Sequence, residues 1–112
     1  MTARSINKAD WEAFCDGVSF ALEGSNAEIE VASLDLGSQV EREWTPLVGI
    51  SYDPEDDVID VALEEVDHII TQPRELVVDL DDMEVNALQI TDGDGRRHLV
   101  RLRDPLLLSA PH

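Results

Sequence analysis

Two apolar runs on either side of an acidic, proline-containing turn constrain this chain more than any other stretch. Leu47 to Tyr52 is apolar or small almost throughout, while Ile59, Val61 and Leu63 alternate with Asp60 and Ala62. A two-residue period is the mark of a half-buried strand, and an unbroken apolar run marks one in the middle of a sheet. Asp53-Pro54-Glu55-Asp56-Asp57 joins them. Proline fixes one backbone angle there, and the acids stay in water. A third extended segment, Val66 to Thr71, follows directly and carries His68. The region from Trp44 to Thr71 therefore predicts a β-hairpin with a further strand beside it.

The flanking segments extend the same pattern. Ala27 to Leu34 alternates glutamates with Ile29 and Val31, and Gln39 to Trp44 is extended, with Val40, Arg42 and Trp44 on one side. Pro46 has no N–H to give a ladder, which predicts a kink or bulge between Trp44 and Leu47. Leu76, Val78 and Leu80 alternate after Pro73, and Asp81 to Glu84 reads as a loop. Leu88 and Ile90 then oppose Val100 and Leu102 across Asp92-Gly93-Asp94-Gly95, a hairpin turn in which glycine supplies positive φ. Asp104-Pro105 ends the last strand before the apolar tail Leu106 to Leu108.

Ahead of the strands, Asn7 to about Glu23 reads as one amphipathic helix. Trp11, Phe14, Cys15, Val18 and Leu22 fall on one stripe at helical spacing. Asn7 with Asp10 resembles a capping box, Ile6 and Trp11 have the spacing of a hydrophobic staple, and Gly24 stands where glycine ends helices. The expected fold is α+β. Its N-terminal amphipathic helix packs on a strongly bent antiparallel sheet, or on a small partly open β-barrel of about six or seven strands. The 112 residues read as a single domain: helix about 7–23, β-rich part about 27–103, short apolar tail 104–112.

Charge narrows the range of partners. A formal net charge of −17 repels nucleic acid and anionic membrane surfaces, so neither is an expected partner. The first residues carry no apolar run of signal-peptide length, and the cytoplasm is the expected compartment. Cys15 stands alone, which excludes an internal disulfide and a cysteine-based zinc site.

No residue pattern announces a reaction. Asp92-Gly93-Asp94-Gly95 begins like a calcium loop, but Arg96 occupies the next ligand position, and a hairpin turn is the better reading. His68, His98 and His112 have no metal-ligand spacing, and no nucleophile elbow or phosphate loop is present. No catalytic residue, metal or cofactor is expected. His68 lies among apolar residues. A histidine so placed is most often a structural hydrogen-bonding residue, the alternative being a ligand or proton-transfer role. A pocket near Trp44, Tyr52 and His68 is the candidate ligand site. Arg97, Arg101 and Arg103 share one face of the last strand. They form a candidate anion-binding stripe, or else cross-strand ion pairs with the neighbouring acids.

Several stretches taken together resemble one family. They are Ala27 to Gly37 (AEIEVASLDLG), Trp44 to Pro54 (WTPLVGISYDP), Asp67-His68-Ile69-Ile70 with Pro73-Arg74, and Asp94-Gly95 with Val100 to Pro105. With the helix start around Trp11, they make the chain similar, over essentially its whole length, to the short prokaryotic proteins grouped as the domain of unknown function DUF5335. The resemblance implies a small stand-alone cytoplasmic domain, and an acidity belonging to the family rather than to a salt-adapted cell. It implies no activity, cofactor or site residue.

The leading functional expectation is a non-enzymatic β-rich interaction domain. The alternatives are a small-ligand binder or enzyme using the Trp44, Tyr52 and His68 pocket, and an acidic decoy for a basic protein. Of Val48, Ile69, Val77, Leu99 and the tail, several alternate out of phase with the expected core. Part of this set is expected to be buried in a two-fold homodimer.

Overall fold

The computed structural model describes residues 2–22, 24–33, 37–81 and 84–103, without the side chains of residues 41–43. Its elements in chain order are β1 (Thr2–Ser5), a 3-10 turn (Lys8–Asp10), α1 (Trp11–Leu22), β2 (Asn26–Ser33), β3 (Gly37–Asp53) and β4 (Val58–Leu63). They continue with β5 (Asp67–Thr71), β6 (Glu75–Asp81), β7 (Glu84–Thr91) and β8 (Arg97–Arg103). The strands form one sheet in the order β1-β6-β7-β8-β2-β3-β4-β5, and every pairing is antiparallel.

The expected class is thereby corrected. The fold is mostly β, with eight strands among the described residues rather than six or seven, and the sheet does not close into a barrel. Two local causes account for the miscount. Thr2–Ser5, which carries no apolar alternation, pairs with β6 as an edge strand. The runs before and after Pro46, which read as separate strands, are one strand of 17 residues.

Pro46 marks a change of partner rather than an end. Up to Pro46, β3 pairs with β2; from Leu47 onward it pairs with β4, with a register shift between Leu47 and Gly49. This long strand carries the β4–β5 pair across the face of the six strands β1-β6-β7-β8-β2-β3. One contact across the core fixes that crossing: His68 on β5 meets His98 on β8. Faces pack on one another, so the edge strands β1 and β5 never join.

The core lies between these faces. Ile59, Val61, Leu63 and Ile70 project from the β4–β5 side. Opposite them, Leu76, Ile90, His98 and Val31 form one row across β6, β7, β8 and β2, and Val78, Leu88, Val100 and Ile29 form the next. Seven of those eight side chains are aliphatic; the eighth is an imidazole.

Helix α1 covers what the strand exchange would otherwise leave open. Once β3 parts from β2, one edge of its second half has no strand beside it, and such an edge invites aggregation. The Ser19 hydroxyl fills the gap: it accepts the Ile50 N–H at 2.6 Å and donates to the Ile50 carbonyl. The Gly24 N–H donates to the Leu47 carbonyl, and the Leu47 N–H to the Ser25 carbonyl. Trp11, Cys15 and Val18 are buried beneath, with Phe14 and Leu22 at the margin. Asn7 stands at the start as expected, but its side chain makes no capping bond. The Ile6 carbonyl instead accepts the Trp11 indole N–H at 2.8 Å. Gly24 ends the helix at φ 89°, a conformation costly to any other residue. The loop residues Asp82 and Met83, part of the turn after Leu34, and the tail Leu106 to Leu108 lie outside the described residues.

Candidate functional site

The three residues of the expected pocket meet different partners. Trp44 lies under the Arg103 guanidinium, 3.8 Å from its ring centroid. Tyr52 packs edge-on against Trp11, with ring centroids 5.2 Å apart, and donates its hydroxyl to Asp57 at 2.8 Å. Burial and the Asp57 carboxylate push the Tyr52 phenol up to about 12, so it stays protonated. Asp57 also pairs with Lys8 at 3.2 Å, and the hydrogen bonds from Tyr52 and Lys8 hold its carboxyl below the usual range. His68 belongs to a third group, across the core. An open hollow of about 480 Å³ lies between β1, the 3-10 turn and α1, and touches none of the three.

The arginine stripe divides in the same way. Arg101 bridges Glu28 and Glu30 on the neighbouring β2, at 2.9 and 2.7 Å. Glu30 also accepts from Ser38, and the Ser38 and Arg101 hydrogen bonds together hold its carboxyl low. Arg103 stacks on Trp44, while Arg97 is exposed. Two of the three cations are thus engaged within the sheet's outer face.

The most unusual chemistry is a chain of three side chains inside the sandwich. Asp92, just after β7, is only 6% exposed, and so is His98 on β8. Asp92 Oδ2 lies 2.8 Å from His98 Nε2, and His98 Nδ1 lies 2.9 Å from His68 Nε2. The other carboxylate oxygen, Oδ1, accepts the backbone N–H groups of Asp94 and Arg96. Burial alone would raise this carboxyl, but the bonds from His98, Arg96 and Asp94 outweigh it and hold Asp92 below the usual range. An ionised carboxylate only accepts, so His98 Nε2 carries a hydrogen and its Nδ1 faces His68.

Sequence reasoning singled out His68 but passed over the two residues that anchor it. The signal for His98 was present. In β8 it shares the phase of Val100 and Leu102, not that of Arg97 and Arg101. Asp92 reads as a turn residue and is one, yet its second oxygen reaches six positions along the chain. Cys15 is buried beneath the helix, and desolvation pushes its thiol up to about 12, which makes it a packing residue rather than a nucleophile. Among the described residues, no group of three or more His, Cys, Asp or Glu is placed to hold a metal ion. No helix among them is long and apolar enough to cross a membrane.

Comparison with known proteins agrees with the sequence pattern. The profile of a family described as "Family of unknown function (DUF5335)" matches residues 2–111. A protein of Aquifex aeolicus (strain VF5), described as uncharacterized, is 35% identical over 109 residues, covering 96% of this chain and 98% of its own length. No solved structure matches. The chain belongs to the DUF5335 family, a family of unknown function.

Proposed function

We propose that this protein is a non-enzymatic interaction domain of the cytoplasm that associates with a second copy of itself. The observation that carries the reading is the outward face of the β3–β4–β5 segment. Val48 is 55% exposed and Ile69 is 47% exposed there. Around them, Gly49, Ala62 and Asp67 form one row, and Ser51 and Asp60 lie in the row with Ile69. Such a face offers a flat surface on which another sheet could lie. Phe20 adds a 91% exposed ring on the neighbouring helix. Val77 on β6 and Leu99 on β8 are half-buried on the outer face of the other five strands and stand apart from this surface. A two-fold contact places the same face on both subunits, Asp60 and Asp67 included.

Light scattering across protein concentration and at two salt levels tests this. The expected result is a dimer mass that dissociates on dilution, and more readily at low salt, where carboxylate repulsion is least screened. Ile69→Glu should shift the protein to monomer. A monomer mass at every concentration would overturn self-association and leave the face to a different protein. The charge of −17, with Lys8 and Arg101 already paired internally, would then favour a basic partner.

A further inference from the structure

The open hollow of about 480 Å³ beside β1 is lined by Arg4, Ile6, Asn7, Asp10, Ala13 and Phe14, among others. Its size suits a small molecule. Register explains how a cation comes to stand there. Arg4 pairs with Val78, and residues paired across antiparallel strands project to the same face of the sheet. Val78 is buried in the inward row with Leu88, Val100 and Ile29. Arg4 therefore carries that apolar row out to the edge of the sheet and ends it in a guanidinium.

Asp10 reaches the same hollow from the helical side, on the 3-10 turn that leads into α1. The two opposite charges do not pair with each other, and among the described residues neither has another ion-pair partner. Lys8, two residues from Asp10, is turned away to Asp57 and lies over the Trp11 ring. The Asn7 side chain makes no capping bond, which leaves its amide available to the hollow. Beside these polar groups, Ile6 and Phe14 are half-buried against the core and Ala13 is exposed. The hollow thus presents a guanidinium, a carboxylate with an amide beside it, and an apolar wall. A simple anion would meet Asp10 there, and a simple cation would meet Arg4. A molecule carrying both charges satisfies both.

We propose that this hollow binds a zwitterion, an α-amino acid with an apolar side chain. Arg4 takes the carboxylate through its paired N–H donors, Asp10 and the Asn7 amide oxygen take the ammonium, and Phe14, Ala13 and Ile6 take the side chain. An inward-pointing charge on an edge strand also discourages the addition of a foreign strand. That role asks nothing of Asp10 or Asn7 and predicts no bound ligand. The hollow adjoins β1, at the other end of the strand order from β5, and the proposal does not depend on self-association.

Titration of the 15N-labelled protein with L-phenylalanine, followed by backbone amide shifts, tests the proposal. Residues 4–14 should shift saturably, with a Kd of about 1 mM for a ligand of this size in an open site. Two truncated probes separate the charges. 3-Phenylpropanoate lacks the ammonium and phenethylamine lacks the carboxylate, and each should bind about fivefold more weakly than the amino acid, the loss expected from one exposed ion pair. Arg4→Gln should weaken L-phenylalanine and 3-phenylpropanoate by about fivefold and leave phenethylamine unchanged; Asp10→Asn should do the converse. The truncated probes need no variant, so the test stands even if a substitution disturbs the fold. No saturable shift, shifts centred outside residues 4–14, or a truncated probe that binds as tightly as L-phenylalanine would overturn the proposal.

Discussion

Replacing Trp11 tests whether α1 is built into the fold or merely rests on it. The indole is fully buried, donates to the Ile6 carbonyl and meets Tyr52 edge-on, so it ties α1 both to the segment after β1 and to the end of β3. Trp11→Ala should cost about 3–5 kcal/mol for lost burial and the cavity left behind. Against a total stability of about 5–15 kcal/mol, that leaves the protein folded but marginal. Trp11→Phe keeps an aromatic edge for Tyr52. It forfeits the hydrogen bond and leaves a smaller void, for about 1–2 kcal/mol. Phe14, the neighbouring ring on the stripe, is only half-buried, and Phe14→Ala should cost less than Trp11→Ala. Equilibrium urea unfolding followed by far-UV circular dichroism provides the measurement, with the slope expected to stay constant. If Trp11→Ala costs no more than Phe14→Ala, or Trp11→Phe costs nothing, the anchoring role is wrong.

Two glycines should respond in opposite directions to alanine. Gly17 is exposed in mid-helix with open space around it, and Gly17→Ala should raise stability by about 0.5–1 kcal/mol. At Gly93 a methyl group would stand 2.7 Å from Gln72 Oε1 and 2.9 Å from Gln72 Cβ, so Gly93→Ala should cost about 1–2 kcal/mol in the same unfolding assay. Asp60 supplies a pH test. Burial first, then the Asp67 carboxylate beside it, raise its carboxyl above the usual value, and one of its oxygens is buried without a hydrogen-bond partner. A carboxyl raised in the folded state contributes stability below its unfolded pKa, and that contribution is lost as pH rises through the folded value. Asp60→Asn should therefore raise the Tm at neutral pH and narrow the gap between acid and neutral melting; a lower Tm at neutral pH would contradict this reading.

The sequence disclosed local structure wherever one residue type answered to one local force. The Asp53–Asp57 turn, the Asp92–Gly95 turn, the helical stripe from Trp11 to Leu22 and the Gly24 stop all stand where propensity and period place them. What it could not disclose depended on neighbours distant in sequence. β1 has no pattern of its own because all four of its residues are exposed, and it is a strand only through its bonds to β6. Pro46 reads as a kink or bulge, and the strand runs on through it because its partners change on either side of that residue. The Asp92–His98–His68 chain was half visible. Phase alone places His98 inward, but only the crossing of β5 over β8 gives its ring a second imidazole to meet.

The position of β2 has a consequence for the order in which the molecule can assemble. Its neighbours are β3, made immediately after it, and β8, the last strand among the described residues; Glu28 and its partner Arg101 stand 73 residues apart in the chain. The first strand likewise waits for β6. A polypeptide emerging from the ribosome can close the β3–β4–β5 meander early, but β2 keeps an unsatisfied side until the final strand has been synthesised. Non-local pairing of this kind slows folding and prolongs the exposure of bare strand edges. The acids along β2 and its neighbours then have a use before any native contact exists: their mutual repulsion keeps unfinished chains from pairing with one another while each awaits its own last strand.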